Sequence, residues 1–271
     1  MFDEFFAFSR TPFTRDMPSK DLFITEQQSE IQARLEYAAQ MQWFTLLTGD
    51  CGSGKSTLIR KFAHDLDGNS YKILYISDSK LTPRHFYNGL LEQLGSQGRF
   101  YRGDAKRLLH HEVELMRGIQ KLKPVVIVDE AHLLDREMFE EIRFLLNCKI
   151  DSTSPMALIL VGQTEIWDKI NKQIYNAVTQ RLNLKSHISY LDESQCKAYI
   201  LHHLRYAGSI SDIFSDSAIS EVYRYSSGSS RLINKACQAR LESLQPCSPG
   251  RLHNDCHGVL YILYTNEHKV K

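Results

Sequence analysis

The sequence predicts an α/β fold: a parallel five-stranded sheet flanked by helices, followed by a small all-helical lid. Three observations lead there. Gly49-Asp50-Cys51-Gly52-Ser53-Gly54-Lys55-Ser56 is a complete G-x-x-x-x-G-K-S phosphate-binding loop, set between a short apolar run and a stretch with apolar residues at helical spacing. Pro124-Val125-Val126-Ile127-Val128 is an unbroken apolar run closed by Asp129 and Glu130, the pattern of a central parallel strand covered on both faces. Strand and helix patterns alternate up to residue 191, and only helical patterns follow.

The elements follow in order. Glu26 to Gln40 predicts a helix leading into a first strand, Trp43 to Thr48. Beyond the loop, Thr57 to Ala63 has helical periodicity, and Lys72 to Ser77 gives a second strand. His85 to Leu94 and Asp104 to Leu122 read as amphipathic helices before the run ending at Asp129. Arg136 to Asn147 is a further helix, Ala157 to Gln163 a further central strand, and Ile188 to Leu191 a fifth strand. Helices are expected at about 193–206, 215–225 and 230–242. The predicted organisation is a nucleotide-binding domain over 1–191, a lid over 192–245 and a tail over 246–271. Residues 1–13, with five phenylalanines, read as a packing strap belonging to the first domain. Pro246 and Pro249-Gly250 break the last helix ahead of the tail.

The chemistry expected at the loop follows from its parts. A strand, a glycine-rich turn and a helix N-terminus point several backbone N–H groups and the positive end of a helix dipole at one spot. Gly49 to Gly54, with Thr57 behind them, would wrap the phosphates of ATP; Lys55 would reach the outer phosphates and Ser56 would hold Mg2+. Asp129 would hold the same ion through its water shell, and Glu130 would activate the attacking water. Slow ATP hydrolysis is the reaction these residues predict.

Composition narrows the setting. Hydrophobic content of 42% and charged content of 24% are ordinary for a globular chain, and a net charge of +1 excludes a polycation that coats nucleic acid by charge alone. The longest apolar runs, about seven residues, are far shorter than a membrane span, and no signal peptide opens the chain, so a cytoplasmic protein without a membrane anchor is expected. The six cysteines form no C-x-x-C pair, and Cys247, His253, Cys256 and His257 fit no common zinc spacing. Asp129-Glu130-Ala131-His132 spells the DEAH box of a helicase family, but such a helicase needs two lobes, and helices alone follow residue 191.

These motifs carry a family resemblance. The chain resembles the AAA+ ATPases, in the clade of ExeA-type secretion ATPases and transposition regulators of the TnsC and TniB type. Phe5-Phe6-Ala7-Phe8-Ser9-Arg10-Thr11-Pro12-Phe13 resembles the N-terminal signature of that clade. The resemblance implies a sensor glutamine at Gln163, an arginine finger at Arg181 within Thr179-Gln180-Arg181-Leu182, and a second sensor at Arg231. It implies a homo-oligomer, a ring or helical filament, in which Arg181 acts across an interface. It also implies one of two roles: a DNA-transposition helper that assembles on double-stranded DNA and recruits or activates a transposase, with a target-selection protein as a further partner, or a soluble ATPase of a secretion or envelope-assembly system. A AAA+ protein-remodelling switch is a third. Secretion members usually continue into a membrane span and a peptidoglycan-binding domain, which favours the transposition role here. Lys80, Arg84, Arg99 and Arg102 then fall in the regions expected to face DNA.

Overall fold

The computed structural model describes residues 6–78, 81–146, 154–209 and 213–243. Those within 26–50 and 55–188 form one compact unit, and those within 6–25, 51–54 and 189–243 form another. Lys80 and the tail beyond 246, with its Cys/His cluster, lie outside the described residues.

The first unit is the α/β one. Its elements run α1 (Glu26–Met41), β1 (Phe44–Gly49), α2 (Lys55–Asp65), β2 (Tyr71–Ile76), α3 (Pro83–Gln93), α4 (Arg102–Leu115), β3 (Lys123–Val128), α5 (Arg136–Leu145), β4 (Ala157–Gly162), α6 (Glu165–Ile170), α7 (Asn176–Thr179) and β5 (Leu184–Ile188). All five strands are parallel, in the order β2-β3-β4-β1-β5. Successive residues of a strand point to opposite faces, and the core divides accordingly. Val126, Val128, Leu158 and Leu160 face a cluster built with Phe86, Leu90 and Phe139. Val125, Ile127, Ile159 and Val161 face one built with Leu35, Leu58 and Phe62. Burying both faces of β1, β3 and β4 is what their continuous apolar runs encode.

The edge strands differ. In β5, Lys185 and His187 alternate as exposed residues with buried Ser186 and Ile188, so no apolar run announces it. The strand therefore ends at Ile188, where the sequence pattern has it begin. Leu191 belongs to the helical unit, and Asp192 caps the next helix by a reciprocal pair with Gln195. At the other edge, the Gln93 amide pairs with both backbone groups of Tyr75, occupying polar groups that would otherwise template another strand. The helix expected to reach Leu122 is α4 followed by a π-turn, Met116–Gln120, closed by Lys121 at φ 60°.

The second unit contains α8 (Glu193–Tyr206), α9 (Asp216–Ser226) and α10 (Ser230–Ser243). Phe13 joins Ile200, Leu204, Phe214, Ile233 and Leu241 in its core. The strap expected with the α/β domain is thus part of the helical unit. The reason is polar as well as apolar: Phe13 N–H donates to His203 Nδ1 at 3.1 Å, its carbonyl accepts from Gln238 at 3.1 Å, and Ser9 N–H donates to the Ala207 carbonyl at 2.9 Å. Burial pushes the His203 imidazole down to about 3, with nearby His202 adding to the effect.

Candidate functional site

The ends of the phosphate loop and the carboxyl ends of β3 and β4 supply the polar residues of the α/β unit. Gly49 closes β1, and Lys55 opens α2. The Lys55 ammonium donates to the carbonyls of Gly49 at 2.7 Å and Asp50 at 2.9 Å. Asp50 accepts from Thr164 at 2.7 Å, tying the loop to the segment after β4. Ser56 is exposed in the first turn of α2 and Thr57 half-buried beside it, so Ser56 Oγ is open to a ligand.

The loop apex, residues 51–54, belongs to the helical unit, where the start of α10 touches it. The Gly52 carbonyl accepts from Ser230 N–H at 3.1 Å and from Ser230 Oγ at 2.9 Å. Gly52 has φ +83°, a conformation that favours glycine, and a Cβ there would stand 2.4 Å from Ser229 Oγ and displace that hydroxyl. Arg231 donates to Cys51 Sγ at 2.9 Å, and Tyr190 OH donates to the Cys51 carbonyl at 3.1 Å. Ser53 Oγ is buried without a hydrogen-bond partner, and Gly54 has φ 100°. Within the apex, an orphaned hydroxyl and backbone conformations that side chains other than glycine rarely adopt suit a phosphate oxygen.

Asp129 is 7% exposed and held on both oxygens: Tyr75 OH donates to Oδ2 at 2.8 Å and Glu130 N–H to Oδ1 at 2.8 Å. Tyr75 comes from β2, which lies beside β3 in a register that pairs Tyr75 with Ile127. Burial, and then the Asp129 carboxylate, push the Tyr75 phenol up to about 12, so it remains a donor at neutral pH. Glu130 has φ 50°, a left-handed conformation uncommon outside glycine, and its side chain is 53% exposed. Buried carboxylate beside exposed carboxylate is the arrangement that suits a metal-shell holder and a water-activating base. Gln163, just past β4, meets His132 at 3.1 Å. The chain thus brings Asp129, Glu130, His132 and Gln163 together.

Other predicted residues sit differently. Arg181 follows α7 and is half-buried, with its guanidinium donating to the Arg143 carbonyl at 3.1 Å. Arg84 and Arg99 are exposed; Arg84 lies over the Phe100 ring at 4.9 Å, and the Arg99 backbone is clamped by the Asn88 amide. Arg102 is paired with Glu137 at 3.0 Å and Glu141 at 3.7 Å, so much of its charge is already met within the chain. Glu141 is well provided with partners, since Lys106 and Tyr87 also bind it. Burial would raise its carboxyl, but those hydrogen bonds and charges outweigh that and hold it low. Tyr75 and Thr164 carry no motif; only strand pairing brings them to the site.

Comparison with known proteins agrees with this geometry. Residues 39–170 match the AAA domain family. The chain is 30% identical over 245 residues to general secretion pathway protein A of Aeromonas hydrophila, a match that takes in 89% of this chain and 44% of that protein. Among solved structures, the Aeropyrum pernix ORC1 protein in complex with DNA aligns with a TM-score of 0.70 at 12% identity, over 94% of this chain and 68% of that one. The ORC2 protein of the same organism, in ADPNP and ADP complexes, aligns at 0.67 and 16% identity, over 96% and 74%. At such identities these two structures establish the fold alone. Among the described residues, no helix is long and apolar enough to cross a membrane.

Proposed function

We propose that the chain is an AAA+ ATPase of the ExeA-like clade, as its match to the AAA domain family and its 30% identity to a general secretion pathway protein support, and that it binds and hydrolyses ATP as a nucleotide-dependent switch assembling on double-stranded DNA to recruit or activate a transposase. The observation that carries the ATPase part is the Asp129–Glu130 pair: one carboxylate buried and held by two donors, the next half-exposed and open to water. In this reading the backbone of Gly49 to Gly54, Thr57 and the Lys55 ammonium hold the phosphates. Ser56 and Asp129 hold Mg2+, which supplies charge neutralisation at the phosphates when bound. Glu130 takes the proton of the attacking water, Gln163 orients it, and Arg231, at the loop apex through Cys51, stabilises the outer phosphate. Arg181 acts on the site of a neighbouring subunit in a ring or filament. Its test is a mixture: Arg181→Ala combined with Lys55→Ala should recover activity that neither has alone, and activity per subunit should rise with concentration. A flat profile in a monomeric protein removes Arg181 from the site.

The DNA part is supported by exposed Arg84 and Arg99 with Phe100, and by the DNA complex formed by a protein of the same fold. A second reading, an ATPase of a secretion system, is favoured by the 30% identity to a general secretion pathway protein. The chain spans 44% of that relative, so length does not separate the two classes. Gel shifts with ATP, with ADP and without nucleotide do. Binding to duplex DNA in the ATP state alone supports the transposition reading, and no binding in any state at low salt overturns it in favour of secretion.

A further inference from the structure

We propose that His132 is a positioning residue for hydrolysis: it fixes which end of the Gln163 amide serves the site and steadies the Glu130 carboxylate. The inference deepens the ATPase reading above and rests on it. Gln163 Nε2 lies 3.1 Å from His132 Nε2. An amide NH2 only donates, so His132 Nε2 accepts and carries no proton. The neutral imidazole then holds its proton on Nδ1. That atom is buried, makes no hydrogen bond, and stands 3.5 Å from Glu130 Oε2. A buried N–H without a partner is costly, and the acceptor facing it is the carboxylate assigned to water activation. A small rotation of the Glu130 side chain, which is 53% exposed and free to turn, closes the bond.

For a neutral ring the opposite arrangement is unfavourable. With the Gln163 oxygen on Nε2–H, a neutral ring would turn the Nδ1 lone pair towards the Glu130 carboxylate, acceptor against acceptor. His132 therefore sets both neighbours at once. It takes one N–H of Gln163 and leaves the second to donate elsewhere, and it offers Glu130 a donor. The backbone that carries the ring is itself held. Lys169 donates to the His132 carbonyl at 3.1 Å and to the Leu134 carbonyl, and a Cβ on Gly162 would come within 3.2 Å of His132 N, so β4 runs close against this loop.

Two measurements on the whole chain test this. In 15N-histidine spectra of the nucleotide-free protein, His132 should carry its proton on Nδ1, with Nε2 bare; a proton on Nε2 overturns the proposal whatever the ATPase does. In kinetics, His132→Ala should lower kcat by about 10- to 100-fold, the usual effect of loosened positioning, with KM for ATP changed by no more than about threefold. His132→Gln, which keeps an acceptor and a donor, should recover most of the rate. In a Gln163→Ala background the loss from His132→Ala should shrink; fully additive losses, or an undiminished kcat in His132→Ala, overturn the coupling. Should wild-type protein bind ATP and never hydrolyse it, the ATPase reading fails, while the spectra still judge the ring.

Discussion

His132 and His203 are both enclosed imidazoles, one with a side chain 9% exposed in the α/β unit, the other 4% exposed in the helical unit. Their surroundings separate them. Around His203 the partners are the Phe13 N–H and the rings of Phe13 and Tyr199, centroids 5.1 and 4.4 Å away. Its Nδ1 is met by a backbone donor and its faces by aromatic rings, so the ring fastens the strap. Around His132 there is one amide, one carboxylate out of bonding reach and an unmet Nδ1. Burial alone therefore does not mark a functional histidine; an unfinished hydrogen-bond shell beside an exposed charge does.

The largest effects should come from the polar end of the α/β unit. Lys55→Ala should abolish nucleotide binding, since it removes the main positive charge facing the phosphates. Glu130→Gln should keep binding and lower turnover by about 10²- to 10⁴-fold, the range for loss of a general base. Fluorescent-nucleotide titration and phosphate release read the two. If Glu130→Gln turned over at the wild-type rate, the contrast between the histidines would lose its catalytic meaning, because His132 would then steady an idle carboxylate.

The fully buried histidine gives a smaller and opposite kind of prediction, one of stability. The native His203 ring stays unprotonated down to pH about 3, while an unfolded histidine takes a proton below about 6.5. The unfolded chain therefore binds more protons throughout that window, and stability falls as pH drops through it, by up to about 1.4 kcal/mol per pH unit from this group. His203→Gln keeps an acceptor for Phe13 N–H but cannot titrate. Thermal melts from pH 6.5 downward should show a shallower loss in the variant; identical slopes would mean the ring is not held neutral.

How much of this is legible in the sequence follows the same physics. β1, β3 and β4 bury both faces, and their apolar runs announce them; β5 shows alternate residues to solvent, and the sequence pattern sets it a few residues late. The phosphate loop and the Asp129–Glu130 pair are readable because backbone geometry and chemistry coincide over a few consecutive residues. Tyr75 is not, because it reaches Asp129 only through the pairing of β2 with β3. The strap follows Phe13 into the helical unit because a histidine 190 residues away accepts its N–H, a bond no local pattern encodes.

Tyr75 also sharpens the contrast at the scale of one bond. Its hydroxyl is the second donor to Asp129, a buried carboxylate, so Tyr75→Phe leaves Oδ2 short of a partner. A loss of about 1–3 kcal/mol in stability is expected, read by denaturant unfolding, with part of it regained when Mg2+ and nucleotide are added. No loss at all would place the Asp129 carboxylate in water rather than in the protein.

The smallest effect expected is at the exposed arginines, where partners again decide between alike residues. Arg84, Arg99 and Arg102 are all exposed, yet Arg102 is engaged by two carboxylates, whereas Arg84 rests on an aromatic face that leaves its charge unneutralised. If duplex DNA binds here, Arg84→Ala and Arg99→Ala should each flatten the log–log salt dependence by about one unit for each phosphate no longer neutralised. Arg102→Ala should change it by much less, because breaking its ion pairs frees Glu137 and Glu141 as it removes a cation. The comparison uses one DNA, one nucleotide state and a salt series, so differences in overall affinity do not confuse it. Equal slope changes at all three positions would show that the ion pairs open on binding. Unchanged slopes at Arg84 and Arg99 would move the DNA-binding face to another surface of the chain.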